Sequence, residues 1–573
     1  MRRRFVSIQE TGVQSLKRNK FSEYFRQMKF TFRDPILLVS VLSVLIVVLL
    51  FILIPLFTIL KESLFHEGKL SLYHYNEIIR LPYNMDVIWN TIKLGVSVSV
   101  VGTFVAFIFA YAITYLKIPS KRLFKILSVL PMISPPFVIS LAAILLFGRS
   151  GLITRSLLGI RSDIYGFWGL MLTQTLSFFP IGVLMLTNLL QNIDPSVEEA
   201  SQALGASQWK VFTTVTLPLM IPGIANAALL IFIQSLADFG NAIVIGGNYT
   251  TMAVQIYQQG IGSYDMAGAT ALAVVLLMIS MLAFTIQHQV IGKKSYVTVT
   301  GKAAKDRVLI RNKKATIPVY TFCMAVSILV MMMYALVPYG AFVKLWGVDY
   351  SFTWRWMKYV LTIGRRYIVD STILSALSTP IAVILGLVSA FIIVRKTFPG
   401  KRLMEGSILM AIALPGTVMG LGYVLTYNTP PLILTGGSVI LVVALVIRSM
   451  PVGTRSAIAA LKQIDPSIEE AATVCGASSN KVFTSVTIPL IKPVFFSSLA
   501  YAFIRGMTLV STIIFLVSAK WQMLTVAIMN QVDQGLYGAA NAYCLVLIGI
   551  VGLVMGTMSL ILKRMGIDLG AGY

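Results

Sequence analysis

Charge is scarce in this chain. Asp, Glu, Lys and Arg make up only 12% of its 573 residues, against the ~25% usual in soluble domains. So few charges cannot clothe a water-facing surface of this size, and lipid must cover most of it. Acidic residues are the scarcer kind, 22 Asp and Glu against 47 Lys and Arg. A net charge of +25 raises the question of nucleic acid, but in an apolar chain a basic excess belongs to the cytoplasmic loops that set orientation. Cysteine and histidine are rare too, three of each. Cys323, Cys475 and Cys544 form no CxxC pair, which argues against a disulfide framework or thiolate cluster. His66, His74 and His288 read as scattered and resemble no His-ligated site. No GxxxxGK[ST] phosphate loop is present, and no His, Asp and Glu cluster of an intramembrane enzyme stands out.

What is abundant is hydrocarbon: hydrophobic residues reach 57% and the mean hydropathy is +0.82. A membrane-spanning helix needs about 20 mostly apolar residues. Runs of that kind lie near 36–60, 91–116, 124–147, 165–190, 217–245 and 266–291. A second set lies near 315–342, 369–394, 404–427, 437–460, 490–519 and 542–562. The expected fold is an all-α membrane protein of about twelve transmembrane helices. The N-terminal stretch holds Arg2, Arg3, Arg4, Lys17, Arg18 and Lys20 ahead of the first apolar run. It is too long for a signal peptide and reads as a cytoplasmic tail. With the N-terminus inside, the basic loops at Lys117–Lys125, at 292–314 and at Arg395–Arg402 also fall inside, as does Lys563–Arg564. Two basic stretches, Arg149–Arg161 and Lys344–Arg366, fall outside and break the pattern.

The strongest signal is an internal repeat. Residues 193–218 read IDPSVEEASQALGASQWKVFTTVTLP and residues 464–489 read IDPSIEEAATVCGASSNKVFTSVTIP, 271 positions on. Pro180 and Pro451 keep that spacing, whereas Lys121 and Lys401, or Pro135 and Pro415, are 280 apart. The first half therefore carries about nine extra residues, expected in the loop around 148–164. Six spans per half is an even number, so the two halves are parallel repeats. The expected division is a basic tail at 1–35, a first half at 36–291, a basic linker at 292–314, a second half at 315–564 and a tail at 565–573.

Each repeated segment reads as a short surface helix. Asp194 and Asp465 can cap it, Pro195 and Pro466 suit its first position, and Glu-Glu favours its first turn. Gly205 and Gly476 punctuate its end. A polar surface held alike in two diverged halves points to a partner that is itself two-fold symmetric. Inside the fifth span of each half, Asp238 and Arg505 are candidates for the translocation pathway or for a pair across the interface, because ionisable groups in membranes are costly.

These segments resemble the EAA motif of binding-protein-dependent ABC permeases. The resemblance rests on Glu199, Ala200, Ser201, Gly205, Val215, Leu217 and Pro218, and on Glu470, Ala471, Ala472, Gly476, Val486, Ile488 and Pro489. It implies a type I ABC importer permease fold in a bacterial inner membrane, with both termini cytoplasmic. It implies that the EAA helices sit in clefts of a homodimeric cytoplasmic ATPase, with Glu199 and Glu470 contacting basic groups there. An extracytoplasmic solute-binding protein would deliver the solute. ATP would be the partner's, with no cofactor bound by this chain and no catalytic or metal site in it. Ala237–Asn241, Ile245–Asn248 and Tyr257 look most like the ferric-iron group. Thiamine, phosphonate, sugar-phosphate and polyamine importers are the alternatives, and a secondary transporter is a more distant one.

Overall fold

Long apolar runs leave the backbone no water to bond with, so they fold as helices. The computed structural model describes residues 35–291, 309–310 and 312–564, apart from Ile133, Pro136, Arg161 and Ser162. The expected N-terminal tail, nearly all of the linker and the C-terminal tail lie outside the described residues.

The first half opens with α1 (Pro35–Val48) and α2 (Ile54–Leu64), joined by a wide turn into one span, Leu37–Leu64. A hairpin, β1 (Phe65–His66) and β2 (Lys69–Leu70), leads through α3 (Tyr73–Arg80) to the long α4 (Pro82–Tyr115). Next come α5 (Lys121–Val129), α6 (Phe137–Phe147) and α7 (Phe167–Asn192). The repeated segment forms α8 (Pro195–Ala203) and α9 (Gln208–Val211), then α10 (Leu217–Leu236) returns across the bundle. Short α11 (Gly240–Ile245) and α12 (Met252–Tyr257) precede the last span, α13 (Met266–Thr285).

The second half repeats this order. It runs α14 (Lys313–Ala341), β3 (Val343–Leu345), β4 (Asp349–Phe352), α15 (Arg355–Thr362) and α16 (Arg365–Arg395). It continues with α17 (Lys401–Ala413), α18 (Gly416–Tyr427) and α19 (Ser438–Gln463). The second repeated segment gives α20 (Pro466–Val474) and α21 (Ser479–Val482). The chain then passes through α22 (Ile488–Leu490), α23 (Lys492–Thr508) and α24 (Leu524–Asp533) to α25 (Tyr537–Arg564).

Among the described residues ten helices are long and apolar enough to cross a membrane, or up to twelve if two bent pairs each count as one span. The bent pairs correct the expected continuous spans. α17 and α18 meet at 116° beside Pro415, and the helix ending in α22 meets α23 at 68°. Proline removes a backbone donor and clashes with the preceding turn, so such breaks are expected near it. The expected span 124–147 is likewise divided between α5 and α6 around Pro131 and Pro135. The expected span 217–245 stops at Leu236, and the chain turns before α11. The extra length of the first half lies where it was expected: residues 148–166 separate α6 from α7, while only 428–437 separate α18 from α19.

Each half builds its core from its second, fourth and fifth spans: α4, α7 and α10 in one, α16, α19 and α23 in the other. The first spans are exchanged between halves. α14 packs on α4, α5 and α6, and α1 packs on α16 and α17 while α2 packs on α18. The exchange makes the two halves one body rather than two units on a tether. The basic stretches that broke the charge pattern have local partners: Arg149 pairs with Asp163 at 3.1 Å, Lys344 with Asp349 at 2.9 Å and Arg366 with Asp370 at 3.7 Å. His66 and His74, which read as scattered, meet beside β1, with ring centroids 5.3 Å apart. Among the described residues no group of three or more His, Cys, Asp and Glu could hold a metal ion.

Candidate functional site: paired capped helices and two buried polar centres

The capping chemistry read from the repeat is realised in both copies. The Asp194 side chain accepts from the Ser196 amide at 2.9 Å, and Asp465 accepts from the Ser467 amide at 2.9 Å. Those backbone hydrogen bonds hold both carboxyls below the ordinary aspartate range. Such caps contribute once the carboxylate is charged and fade as pH falls through the lowered value. Gly205 and Gly476 follow with φ of +89° and +87°, a region that costs other residues strain.

The sequence pattern singled out the second glutamate of each pair. The structure shows that the first one anchors the helix. Glu198 is 7% exposed, and its Oε1 accepts from the Tyr115 and Thr216 hydroxyls, both at 2.7 Å. Glu469 accepts from the Thr487 hydroxyl at 3.2 Å and lies 2.9 Å from Arg395 Nε. That approach is off the N–H axis, so it is an ion pair rather than an aligned hydrogen bond. Arg395 also donates to the carbonyls of Leu461 and Ile464 at 3.1 and 3.0 Å, which ties down the end of α19. Tyr115 and Arg395 are 280 positions apart, the spacing of the surrounding loop. One socket thus closes on a phenol and the other on a guanidinium.

The second glutamates point elsewhere: Glu470 is exposed and Glu199 half-buried, with Ala200 and Ala471 exposed and Ser201 and Ala472 half-buried beside them. Pro218 and Pro489, both exposed, open the helices that return into the bundle. The same surface carries apolar side chains facing outward. Leu204 is 90% exposed, Val474 88% and Trp209 73%. Large exposed apolar groups clustered on a polar segment mark a protein interface. Sequence reasoning missed these three, although an apolar residue inside a polar repeat was the available signal.

The two pathway candidates do not meet. Among the described residues no ion pair joins Asp238 to Arg505. Asp238 lies in the turn between α10 and α11, not within a span, because its carboxylate caps that turn. It accepts from the Asn241 amide at 3.3 Å, the Asn241 side chain at 2.9 Å and Gln174 at 2.8 Å. Ser235 donates to Gln174, and Ser140 donates to Asn241 at 2.7 Å. The result is a closed network with every member partnered, which is how a buried carboxylate is retained.

The second half puts cations at the matching place. Arg448 occupies the counterpart of Ser177, and Arg505 that of Gln234. Arg448 donates to the carbonyls of Ala411 and Leu414 at 3.2 and 2.7 Å, groups freed by the break between α17 and α18. The two guanidiniums lie within electrostatic range of each other, with Tyr423 and Tyr501 close to Arg448. Arg505 Nε is buried without a hydrogen-bond partner. Asp238 has Leu509 at its counterpart position. Between the halves run three aromatic rings: Tyr257 contacts Phe239 at 5.3 Å and Phe515 at 5.5 Å.

At the other end of α7 from α8, where Phe167 begins that span, lies a cavity of about 790 Å³, within the usual range for ligand pockets. Arg149, Asp163, Tyr165 and Tyr249 line it from the first half, Trp346 and Tyr537 from the second. Tyr165 and Tyr537 lie close together across that boundary.

With this geometry in hand, comparisons with known proteins add the following. The sequence matches the family described as "Binding-protein-dependent transport system inner membrane component" twice, over residues 99–295 and 382–566. It is 38% identical to the ferric transport system permease protein FbpB of Actinobacillus pleuropneumoniae, over 81% of this chain and 69% of that protein. It is 38% identical to the putative ferric transport system permease protein FbpB 1 of Haemophilus influenzae, over 77% of this chain and 72% of that protein. The molybdenum transport system permease protein ModB of Haemophilus influenzae is 36% identical, over 27% of this chain and 71% of its own length.

Proposed function

The chain belongs to the binding-protein-dependent inner membrane transport components, as a fused, two-domain ABC importer permease, and from that premise we propose that its solute is ferric iron and that a separate ATPase homodimer drives it. The observation that carries the iron reading is the 38% identity to ferric transport permeases over most of this chain. The single-domain molybdenum relative aligns with only 27% of it. The cavity opposite the coupling helices supports the reading chemically. Its oxygen groups are the Asp163 carboxylate, which is paired with Arg149, and the phenols of Tyr165, Tyr249 and Tyr537, and hard cations take oxygen ligands. In this reading the cavity faces outward and receives the solute from the binding protein.

The coupling half of the proposal rests on α8 and α20. They are alike in caps, in glycine turns and in one outward apolar position, Val197 in one and Ile468 in the other, and in this reading they lie on one face. Two matching surface helices fit a two-fold ATPase, each cleft taking one helix. That face is then cytoplasmic, with both termini on it. Glu199 with Ala200, Ser201, Gly205 and Pro218, and Glu470 with Ala471, Ala472, Gly476 and Pro489, are the coupling residues. A gradient-driven transporter has no use for such paired helices.

The test is uptake of labelled Fe(III) into vesicles holding this chain, its ATPase and its binding protein. ATP-dependent accumulation of iron, unaffected by excess molybdate, thiamine or phosphonate, is expected. Uptake of one of those solutes in place of iron would overturn the iron assignment. Uptake without the ATPase would overturn the coupling assignment.

A further inference from the structure

Two cations of the second half stand in its core with no counter-charge among the described residues. Arg448 lies in the middle of α19 and Arg505 in the last turn of α23. These helices run in opposite directions and touch at Gly453, where an added methyl would stand 3.4 Å from the Ser498 hydroxyl. Arg448 is five residues before Gly453, and Arg505 seven residues after Ser498. At 1.5 Å per residue both lie on the same side of that contact, about 7.5 and 10.5 Å from it. The two side chains therefore reach the same level of the bundle, and their charges are felt by one another.

Arg448 engages the carbonyls of Ala411 and Leu414 through Nη1 alone, and its Nε is buried without a partner. Arg505 Nε is buried in the same way, and among the described residues Arg505 makes no hydrogen bond or ion pair. The packed elements offer no carboxylate. α18, α19 and α23 hold no Asp or Glu. Asp370 of α16 is taken by Arg366, and Glu405 of α17 lies beside Lys401, six residues before Ala411. Arginine keeps its proton in proteins, and buried charges are retained when something compensates them. The fold itself does not ask for these cations, since the first half is built on the same plan with Ser177 and Gln234 in their places.

We propose that Arg448 and Arg505 hold a small oxyanion between them, of the phosphate, sulfate, carbonate or carboxylate type. Guanidinium forks match the paired oxygens of such groups, and the two unpartnered Nε–H groups are donors ready for them. Tyr501, one turn before Arg505 and close to Arg448, adds a hydroxyl. A lipid headgroup is a poor occupant. Headgroups lie about 15 Å from the middle of the hydrocarbon core, whereas Arg448 is the eleventh of the 26 residues of α19. The occupant is thus a free anion. None of these residues lines the 790 Å³ cavity, so the site is separate from it and does not depend on which solute the permease carries.

Thermal unfolding of the full-length chain in phosphatidylcholine nanodiscs tests this without reference to transport. Sodium phosphate, sulfate, bicarbonate and citrate are each titrated against chloride at equal pH and ionic strength. At least one should raise the wild-type midpoint by a few degrees and saturate. Its apparent affinity should fall at least about tenfold in Arg505→Gln. Arg505→Lys, which keeps the charge and loses the fork, should fall in between. No saturable shift with any of these anions, or an equal shift in Arg505→Gln, overturns the proposal. A shift that needs anionic lipid in the disc makes the occupant a headgroup and overturns it as well. Should Arg505→Gln not insert, equilibrium dialysis of the stabilising anion in radiolabelled form compares the wild type with Arg505→Lys. Weaker retention by the lysine variant is expected, and equal retention overturns the site.

Discussion

The two halves of this permease are alike at one end of the bundle and opposite in its middle. At the repeated surface segments, α8 and α20 share caps, turn glycines and one outward apolar position, Val197 and Ile468. In the core, one half carries a partnered carboxylate, Asp238, where the other has Leu509, and the other carries the guanidiniums of Arg448 and Arg505, where the first has Ser177 and Gln234. A gene fusion frees each half to drift, so what stays alike must answer to a shared constraint. The proposed two-fold partner would impose one on α8 and α20. A solute path between two halves imposes none, because one solute touches both walls at once and the walls need not match.

The largest expected effect breaks the likeness at the coupling face. Glu199→Lys with Glu470→Lys places two cations where basic groups of an ATPase are expected, and opposed like charges at an interface cost several kcal/mol. ATP-driven uptake should fall by a factor on the order of 100, with the chain still inserted. Each single change should cost about the same as the other. Normal uptake in the double variant would remove these helices from the coupling role.

The next comparison concerns the opposed centres, tested by giving each half the other's residue. Asp238→Leu leaves the donors of Gln174 and Asn241 unpaired, which should cost about 3 kcal/mol or more in stability and lower the melting temperature in detergent. Asp238→Asn should cost less, since it keeps an acceptor. Arg505→Gln removes a group whose Nε has no partner, so stability should hardly change. A fall in uptake without loss of stability in Arg505→Gln would put that cation on the solute path. Unchanged uptake would leave it structural.

The anchors are a smaller difference within the likeness. Glu198→Gln keeps an acceptor for Tyr115 and Thr216 and should cost about 1 kcal/mol. Glu469→Gln leaves Arg395, whose side chain is 12% exposed, without its carboxylate, and should cost about 2 kcal/mol. Amide exchange across 466–474 should therefore rise more than exchange across 195–203. Equal rises would mean that the phenol and the guanidinium do the same work.

Much of this was legible before any coordinates. Hydropathy marks the spans, and the repeat marks the two-half plan, the short capped helices and even the loop holding the extra length. What stayed hidden has one physical cause: it depends on residues far apart in the chain that only packing joins. Nothing in the sequence says that Glu198 faces Tyr115 while Glu199 faces outward, because neighbouring helical positions differ in direction by about 100°. Asp238 looked like a span residue because Leu236, Phe239 and Ile243 around it are apolar. The turn exists because Gln174 and Asn241 give its carboxylate partners. Arg448 went unnoticed although its charge stands in an apolar run, since its role is to bond carbonyls that a distant break sets free.

The smallest expected effect is the sharpest check on symmetry. Gly205 and Gly476 have nearly the same positive φ, +89° and +87°, and an added Cβ at either would meet nothing within 4 Å. Gly205→Ala and Gly476→Ala therefore remove no contact and create no clash. The cost is backbone strain alone, about 1–2 kcal/mol at each turn. Strain of that size loosens the hinge between the two short helices without unfolding a span. Uptake should fall no more than about tenfold in either variant, and by the same factor in both. Because the sockets are anchored differently, an equal loss would show that the ATPase senses the turn rather than what lies behind it. A loss confined to one variant would mean that the two helices are not equally engaged, and the argument from a two-fold partner would fail at the place where the halves are most alike.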